Sequence, residues 1–501
     1  MANDKALFPS RKEDYQVNIN ITGVDGFQIE NLRCKFYLPE KHTGRVKMFI
    51  LPTSEQGRTI DGFYNGLWRF SFVAKQPSLV GQPEDATRQL QIRANEVYSL
   101  GISTRMWGPD VEEVVWRAEP VDLTIVDVLE PFPHPTEGRF WLTPSFVLSP
   151  GAMVKRSYTG DVEVKKVREK QFELANGLSL NFAKHFRSKE QGDGSVLVTN
   201  YLVAESSLWD NPEGSTIIDD TLLEWIDDFL LVASLATRER CVCVGWEVYD
   251  QIGHTRFYRR RISIPKNFKK HDYNEDLIDA QNYENFIQTI YPKFANDESI
   301  ELVRDVVRSA IPLARSTLES RFTSLFSAVE TLVLSFRRKH RLEFVFTDES
   351  DVTEWKKIKD VALPEWLKAQ QLLSGEDRAD QRKLIYENLS ALERISFGHA
   401  FKKFCEYYNA DLSDLWPITG GGESKWSLTT IRNKLVHGEV LPSFKIGALQ
   451  DATLHLQWTL ERLILGYFGW EVAKSNVSKA YLSQFLYAHK RMETERKTIS
   501  S

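Results

Sequence analysis

Cysteine is scarce in this chain, and the little there is excludes two chemistries. The four cysteines among 501 residues, Cys34, Cys241, Cys243 and Cys405, form no Cys-x-x-Cys pair, so neither a disulfide framework nor a thiolate zinc site is encoded. Cys241 and Cys243 alternate within a strand-like run and read as core thiols sharing one face. The ten histidines do not cluster, and no His-Glu-x-x-His helix, calcium-binding loop or Walker phosphate loop occurs, so a metal or nucleotide cofactor has no support. Long apolar runs are missing too. No stretch reaches the ~18 residues that a membrane span needs, and the opening MANDKALFPSRKEDYQ lacks the apolar core of a secretion signal. The expectation is a cytoplasmic protein without membrane contact. Charge of one sign is also absent: a formal net charge of −5 gives no global attraction for DNA, so any nucleic-acid contact has to rest on a local basic patch.

What is present describes a folded protein rich in Trp and Phe. Apolar residues make up 42% and charged residues 27%, enough to bury large cores, and the length predicts about two to four domains at roughly 150 residues each. The front reads as short strands bounded by turn residues: NLRCKFYLP, RVKMFILP, WRFSFVA, QLQIRANEVYSL, VDLTIVDVL, FWLTPSFVLS and SVLVTNYLVAE. Repeated short strands point to a sandwich or a curled sheet, and Gly192-Asp193-Gly194 reads as a hairpin turn. After Asn211 the texture changes. Leu222, Leu223, Ile226, Phe229, Leu230 and Ala233 recur at helical spacing, followed by the paired strand candidates CVCVGWEVY and TRFYRRRISI. The expected organisation is a β-rich domain over 1–205, a helix-plus-hairpin subdomain packed on it over 206–280, and an all-α bundle over 281–501. The fold class is thus α+β and multidomain, with a sandwich-like β-rich region followed by a helical bundle.

In the bundle, Leu318, Phe322, Leu325, Phe326, Val329, Leu332, Val333 and Phe336 trace one stripe through a helix of some twenty residues. Leu384, Tyr386, Leu389, Leu392, Ile395 and Phe401 suggest a second helix, and Leu449, Leu454, Leu456, Leu460, Leu463, Ile464 and Tyr467 mark another, closed by Gly469. Between these two, on a helix entered through ITGGGESKWS, lies IRNKLVHGEV.

Arg432, Asn433 and His437 in that segment are the residue set that RNA cleavage without a metal requires. An imidazole moves protons near neutral pH because its unperturbed pKa is about 6.5. A guanidinium stays charged and its planar fork matches phosphate oxygens. Asn433 and His437, four apart, share a helical face, whereas Arg432 and His437 point roughly 140° apart. One helix alone makes a poor pocket, and a second copy facing the first across a two-fold axis would supply the missing neighbours. The same residues also read as an ordinary helix terminus, since Arg and His complement the dipole there and Gly438 follows directly.

Other signals carry the same two readings. Arg337, Arg338, Lys339, His340 and Arg341 end the long helix, and Arg256, Arg259, Arg260 and Arg261 interleave with Phe257 and Tyr258; each cluster reads as a solvated face or as a phosphate-binding patch. The first, at 337–341, is the better candidate for RNA, together with Lys434 on the motif helix. Glu330 interrupts the apolar stripe between Val329 and Leu332, either bordering it in solvent or buried against an arginine such as Arg432. Gly420 to Gly422 read as a connector, or as a phosphate cradle before a helix N-terminus.

A helical bundle with Arg-Asn-x3-His near its end resembles the HEPN superfamily. The segments FTSLFSAVETL, RNKLVHGE and LILGYFGW are similar to the ApeA-type HEPN domain of bacterial anti-phage systems, and the β-rich front is similar to the region that accompanies it. The resemblance implies a homodimeric, metal-independent endoribonuclease whose composite site forms from two motif helices and leaves 2′,3′-cyclic phosphate and 5′-hydroxyl ends. It assigns phosphate binding to Arg432, orientation to Asn433, acid or base work to His437, and a recurrent acidic position to Glu330. It further implies abortive infection by RNA cleavage, tRNA as a candidate substrate, and a front region that senses a phage component or restrains the nuclease. The alternative is a HEPN module that dimerises or binds RNA without chemistry; a carbohydrate- or peptide-binding front is a third reading.

Overall fold

The structure is a computed structural model. It describes residues 14–23, 26–38, 46–53, 56, 69–79, 89–106, 112–128, 137–145, 147–150, 152–156, 162–166, 170–174, 178–190, 196–207, 220–249, 253–259, 276–312, 316–342, 352–357, 361, 394–420, 426–439, 442–485 and 487–500. The chain divides into two compact units, Met1–Phe268 and Lys269–Ser501.

The first unit is built on strands β1 (Asp14–Gly23), β2 (Gln28–Tyr37), β3 (Lys47–Leu51), β4 (Arg69–Leu79), β5 (Gln89–Met106), β6 (Glu112–Pro120), β7 (Asp122–Val128), β8 (Glu137–Leu142), β9 (Ala152–Arg156), β10 (Val162–Lys166), β11 (Lys170–Glu173), β12 (Ser179–Glu190), β13 (Val196–Ser207), β14 (Cys243–Tyr249) and β15 (Gly253–Arg259), with helix α1 (Asp220–Thr237) before the last two. Thirteen of them pair in one sheet in the order β11-β12-β13-β8-β14-β15-β7-β5-β4-β1-β2-β3-β6, and β6 pairs again with β5; β9 and β10 form a separate ribbon. Of the two expected arrangements, a sandwich or a curled sheet, the structure shows the second: these thirteen strands form one antiparallel sheet that closes on itself.

The device that closes it is the 18-residue strand β5. Along one edge it meets β7 (Gln89↔Val128 to Arg93↔Thr124) and then β6 (Val97↔Pro120 to Met106↔Glu112). Val121 between them donates its N–H to Glu96 O at 2.9 Å, keeping the same register. The β6 half turns onto β3 and completes a six-stranded ring, while the β7 half leads through β15 into an open wing. Gly101, at φ +135°, sits at the bulge between Ser99 and Gly101 where the β5–β6 register shifts. Inward positions alternate as a two-residue period requires: Val17, Ile19 and Ile21 on β1, Leu32, Cys34 and Phe36 on β2, and Trp116 and Ala118 on β6 are buried together.

The hairpin of the helix-plus-hairpin expected as a subdomain over 206–280 belongs inside this sheet. Hairpin β14–β15 lies between β8 and β7 and bonds to both, so separating it would cut two ladders. The periodic residues of α1 are buried; Phe229 packs on Phe172 and Phe182, and Asp227 takes a bidentate bond from Arg259 at 2.9 and 2.7 Å. Arg260 and Arg261 and the Gly192–Gly194 turn lie outside the described residues, although β12 and β13 pair up to Glu190↔Val196 on either side of that turn. Cys241 and Cys243 are core thiols, and burial pushes both up to about 12.

The second unit begins earlier than residue 281, because Leu277 and Ile278 are fully buried and Leu277 O accepts from Asn476 N at 2.9 Å. Its helices are α2 (Tyr283–Ala295), α3 (Ile300–Ala310), α4 (Leu318–Lys339), α5 (Phe397–Tyr407), α6 (Leu428–Val436), α7 (Ile446–Tyr467), α8 (Lys479–Phe485) and α9 (Tyr487–Ser500). α4 carries the expected stripe, with Phe322, Leu325, Phe326, Val329, Leu332, Val333 and Phe336 buried, and its N-cap Thr317 accepts from Ser320 N at 3.2 Å. It packs against α3, α5, α6 and α7. The helix expected across 384–401 is replaced at its described end by α5, which starts at Phe397 because Ser396 is extended and caps His399 N at 3.3 Å; residues 384–393 lie outside the described part.

α7 differs from a one-sided stripe. Leu449, Leu456, Leu460, Leu463 and Ile464 are buried, but so are His455, Gln457, Thr459, Glu461 and Arg462. Arg462 forms a bidentate pair with Asp414 at 2.6 and 2.8 Å and also donates to Val477 O and Asp411 O. Arg321 of α4 bonds Gln457, whose amide donates to Glu461 at 2.7 Å. Burial without partners is what a polar side chain cannot sustain, and these partners let the helix carry polar residues on two opposite sides, His455, Thr459 and Arg462 on one and Gln457 and Glu461 on the other. Among the described residues no helix is long and apolar enough to cross a membrane.

Candidate functional site

The motif helix α6 is short, nine residues, below the length at which an isolated helix is stable in water. Its ends are fixed by what surrounds them. Ser427, almost fully buried, caps Thr430 N at 3.3 Å, and the free N–H groups of Leu428 and Thr429 donate to Pro417 O and Ile418 O at 2.9 and 3.0 Å. At the other end Gly438 N bonds Leu435 O and Glu439 N bonds Lys434 O, at 3.1 and 3.0 Å. That is a Schellman closure, and Gly438 adopts the left-handed φ of +78° that it needs. His437 is the C-cap residue and donates its backbone N–H to Asn433 O.

α4 supplies the platform beneath Arg432. Glu330 Oε2 lies 3.3 Å from Arg432 Nη2, the guanidinium carbon sits 5.9 Å from the centroid of Phe326, and Nη1 donates to Asn433 Oδ1 at 3.2 Å. Phe326 and Glu330 are four apart and therefore share a helical face, so one helix presents a ring and a carboxylate to the same arginine. Glu330 settles between its two expected readings: it borders the stripe, about one third exposed, and it pairs with Arg432, itself about one third exposed. Asn433 and His437 are exposed. Fixed charge, amide and imidazole thus stand on one open helix end.

The remaining expected residues separate into two groups. Lys434 is engaged, bonded to Glu439 at 2.8 Å and placed 4.9 Å over the ring of Trp426, which Lys445 also approaches at 5.8 Å. It braces the C-terminal turn of α6. Arg337, Arg338, Lys339 and Arg341 sit at the C-terminus of α4, two to three turns beyond Glu330, roughly 15 Å along the axis. Arg338, Lys339 and Arg341 are exposed, and Arg337 Nε donates to Leu342 O at 3.4 Å. Gly420 leads toward the motif helix; Gly421 and Gly422 lie outside the described residues.

Sequence reasoning missed the supports of the site. Phe326 was legible only as core, and its second role follows from its place one turn before Glu330. Asp414 and Arg462 tie the 411–418 loop, whose carbonyls accept the first N–H groups of α6, to α7, and Trp416 N of the same loop donates to His455 Nδ1 at 3.3 Å. A clue existed in the adjacent charges Glu461-Arg462 within an apolar run. Comparison with protein-family models, with curated proteins and with solved structures finds no match to this chain.

Proposed function

We propose that the helical unit is a metal-independent endoribonuclease of HEPN type. The observation that carries the reading is the arginine of the motif, oriented from α4 by Glu330 and Phe326 beside an exposed histidine on the same helix end. In the reaction, a ribose 2′-oxygen attacks the adjacent phosphorus while a base removes its proton, and the 5′-oxygen leaves as an acid protonates it. The ends are a 2′,3′-cyclic phosphate and a 5′-hydroxyl. Arg432 binds the phosphate oxygens and opposes the charge that builds on them, Asn433 orients the phosphate, and His437 serves as acid or base.

One motif supplies one imidazole, so the proton transfers require a second copy. Val436, Phe444 and Ile446, at the end of α6 and the start of α7, are 52%, 66% and 48% exposed. An apolar rim beside the motif is what a homodimer would cover. In this reading the protein acts in anti-phage abortive infection, RNA (tRNA as the first candidate) is the substrate, and the β-rich unit senses a phage component or restrains the nuclease.

The deciding experiment is sequencing of RNA ends after induction of the wild type with phage infection, beside Arg432→Ala and His437→Ala. Cyclic phosphate ends in the wild type alone, undiminished by EDTA, are expected. Equal cleavage by either variant, or none by any form, would sink the proposal and favour a dimerisation or RNA-binding module without chemistry.

A further inference from the structure

The far end of α4 carries a feature that the cleavage chemistry does not use. α4 and α5 end side by side, and six rings gather there: Phe336 contacts Phe404, Tyr407 and Tyr408 at centroid distances of 5.2, 5.6 and 5.8 Å, His340 packs tilted against Phe336 and Tyr407 at 4.5 Å each, and Tyr408 meets Tyr467 at 5.3 Å. Phe336 and Phe404 belong to the core, but Tyr407 is 60% exposed. An aromatic ring held rigidly from beneath and open above is a stacking surface. Burial and the adjacent Lys339 ammonium hold His340 below its ordinary value.

Cations cluster at the ends of both helices. Arg338, Lys339 and Arg341 are exposed and take part in no salt bridge among the described residues, and Lys403 lies one turn before Tyr407 on α5. Arg341 is held at φ +52° by the bonds Arg341 N to Arg338 O and Leu342 N to Arg337 O. An L residue there costs on the order of 1 kcal/mol that glycine would not. Basic residues at a helix C-terminus are explained by the dipole alone; an exposed tyrosine ring with an exposed lysine one turn before it on the neighbouring helix is not. Glu406, the nearest acid on α5, is paired with Lys402 at 3.8 Å.

We propose that Tyr407 and His340, with Lys339, Arg341 and Lys403 at the same helix ends, form a stacking subsite for an unpaired base of single-stranded RNA, away from the cleavage motif on the same helix. Ring faces accept any base, and the cations take the neighbouring phosphates. The separation of roughly 15 Å along α4 is the reach of a few nucleotides, so the subsite selects loops and single strands over duplexes. For the strand's purpose the inference rests on the nuclease reading, but its test does not.

The test measures binding of a short single-stranded 2′-O-methyl oligouridine, which cannot be cleaved by transesterification, to the full chain by fluorescence anisotropy. Tyr407→Ala is expected to weaken binding by about five- to a hundredfold, and Tyr407→Phe to retain it. Lys403→Ala and Arg341→Ala should each flatten the salt dependence by about 0.7 in the log–log slope. Melting temperatures check that the variants fold. No binding by the wild type, unchanged binding by Tyr407→Ala, or equal affinity for a duplex overturns the proposal; tighter binding of polyglutamate does so too and assigns the patch to an acidic protein. Strand binding with no RNA cleavage by the wild type sinks the nuclease reading and leaves the subsite standing, while cleavage with unaltered Tyr407→Ala binding does the reverse.

Discussion

Glu330→Gln separates positioning from stability more sharply than any other change near the motif. The pair with Arg432 is a single 3.3 Å contact between side chains 36% and 33% exposed, and ion pairs so open to water contribute only ~0.2–1 kcal/mol. For a unit of this size a loss of ~1 kcal/mol lowers Tm by about 2–4 °C, so the variant should melt close to the wild type. The guanidinium would keep Phe326 and Asn433 as neighbours but lose the charge that draws it toward α4. Displacement of a phosphate-binding group by about 1 Å can lower a rate ~100-fold. The expected result is a fall of about ten- to a hundredfold in kcat with KM for RNA unchanged or lower, because removing a carboxylate also removes repulsion toward phosphate. Thermal unfolding together with steady-state cleavage of a fluorogenic RNA measures both. A kcat within about twofold of the wild type would refute the positioning role, and a drop in Tm much beyond 4 °C would show that the exposed pair has been underestimated.

Three further outcomes follow from other parts of the molecule. Gly438→Ala should destabilise the helical unit by ~1 kcal/mol through its positive φ alone, since a Cβ there meets nothing within 4 Å; urea unfolding showing no loss would contradict the closure described for α6. Asp414→Ala leaves Arg462 buried without its carboxylate and should cost ~3–5 kcal/mol, whereas Asp414→Ala combined with Arg462→Met should recover a good part of it; equal losses in chemical denaturation would show that the pair is not what holds the loop. Above pH 9 the buried Cys241 and Cys243 keep their protons up to about 12 while the unfolded chain releases them. The folded state therefore binds more protons, and stability falls as pH rises through that window; Cys241→Ala with Cys243→Ala should make the urea midpoint less sensitive to pH between 9 and 11 than the wild type's, and identical slopes would exclude the thiols as the cause.

How much of this was legible depends on how far apart the interacting residues lie. The stripe of α4 follows from local spacing, so Phe322 to Phe336 could be placed on one buried face from sequence alone. The barrel could not: alternation of Val17, Ile19 and Ile21 is the same in a sandwich, and the difference lies in whether β6 returns to β5. The burial of His455, Gln457 and Arg462 on α7 could not be read locally, because their partners Trp416, Arg321 and Asp414 are dozens of positions away. Glu330 was readable in part, since a carboxylate inside an apolar stripe requires a reason, and the pair with Arg432 spans 102 positions.

The shortness of α6 decides which variants can report on chemistry. Nine residues cannot hold a helix by their own hydrogen bonds, so the geometry of Arg432 and His437 is borrowed from two sources. The 411–418 loop and Ser427 fix the start of the helix, and that loop is anchored through Asp414 to Arg462 on α7. α4 fixes the side, through Phe326 and Glu330. A change at the first source lowers stability and moves the motif together, so lost cleavage in Asp414→Ala says nothing about catalysis. A change at Glu330, on a partly exposed contact, moves the guanidinium and leaves the fold in place. His437 is freer still: it caps the helix through its backbone, and its side chain is exposed. Replacing it therefore alters little besides the imidazole, which makes His437→Ala the variant whose RNA ends bear most directly on the proposed reaction.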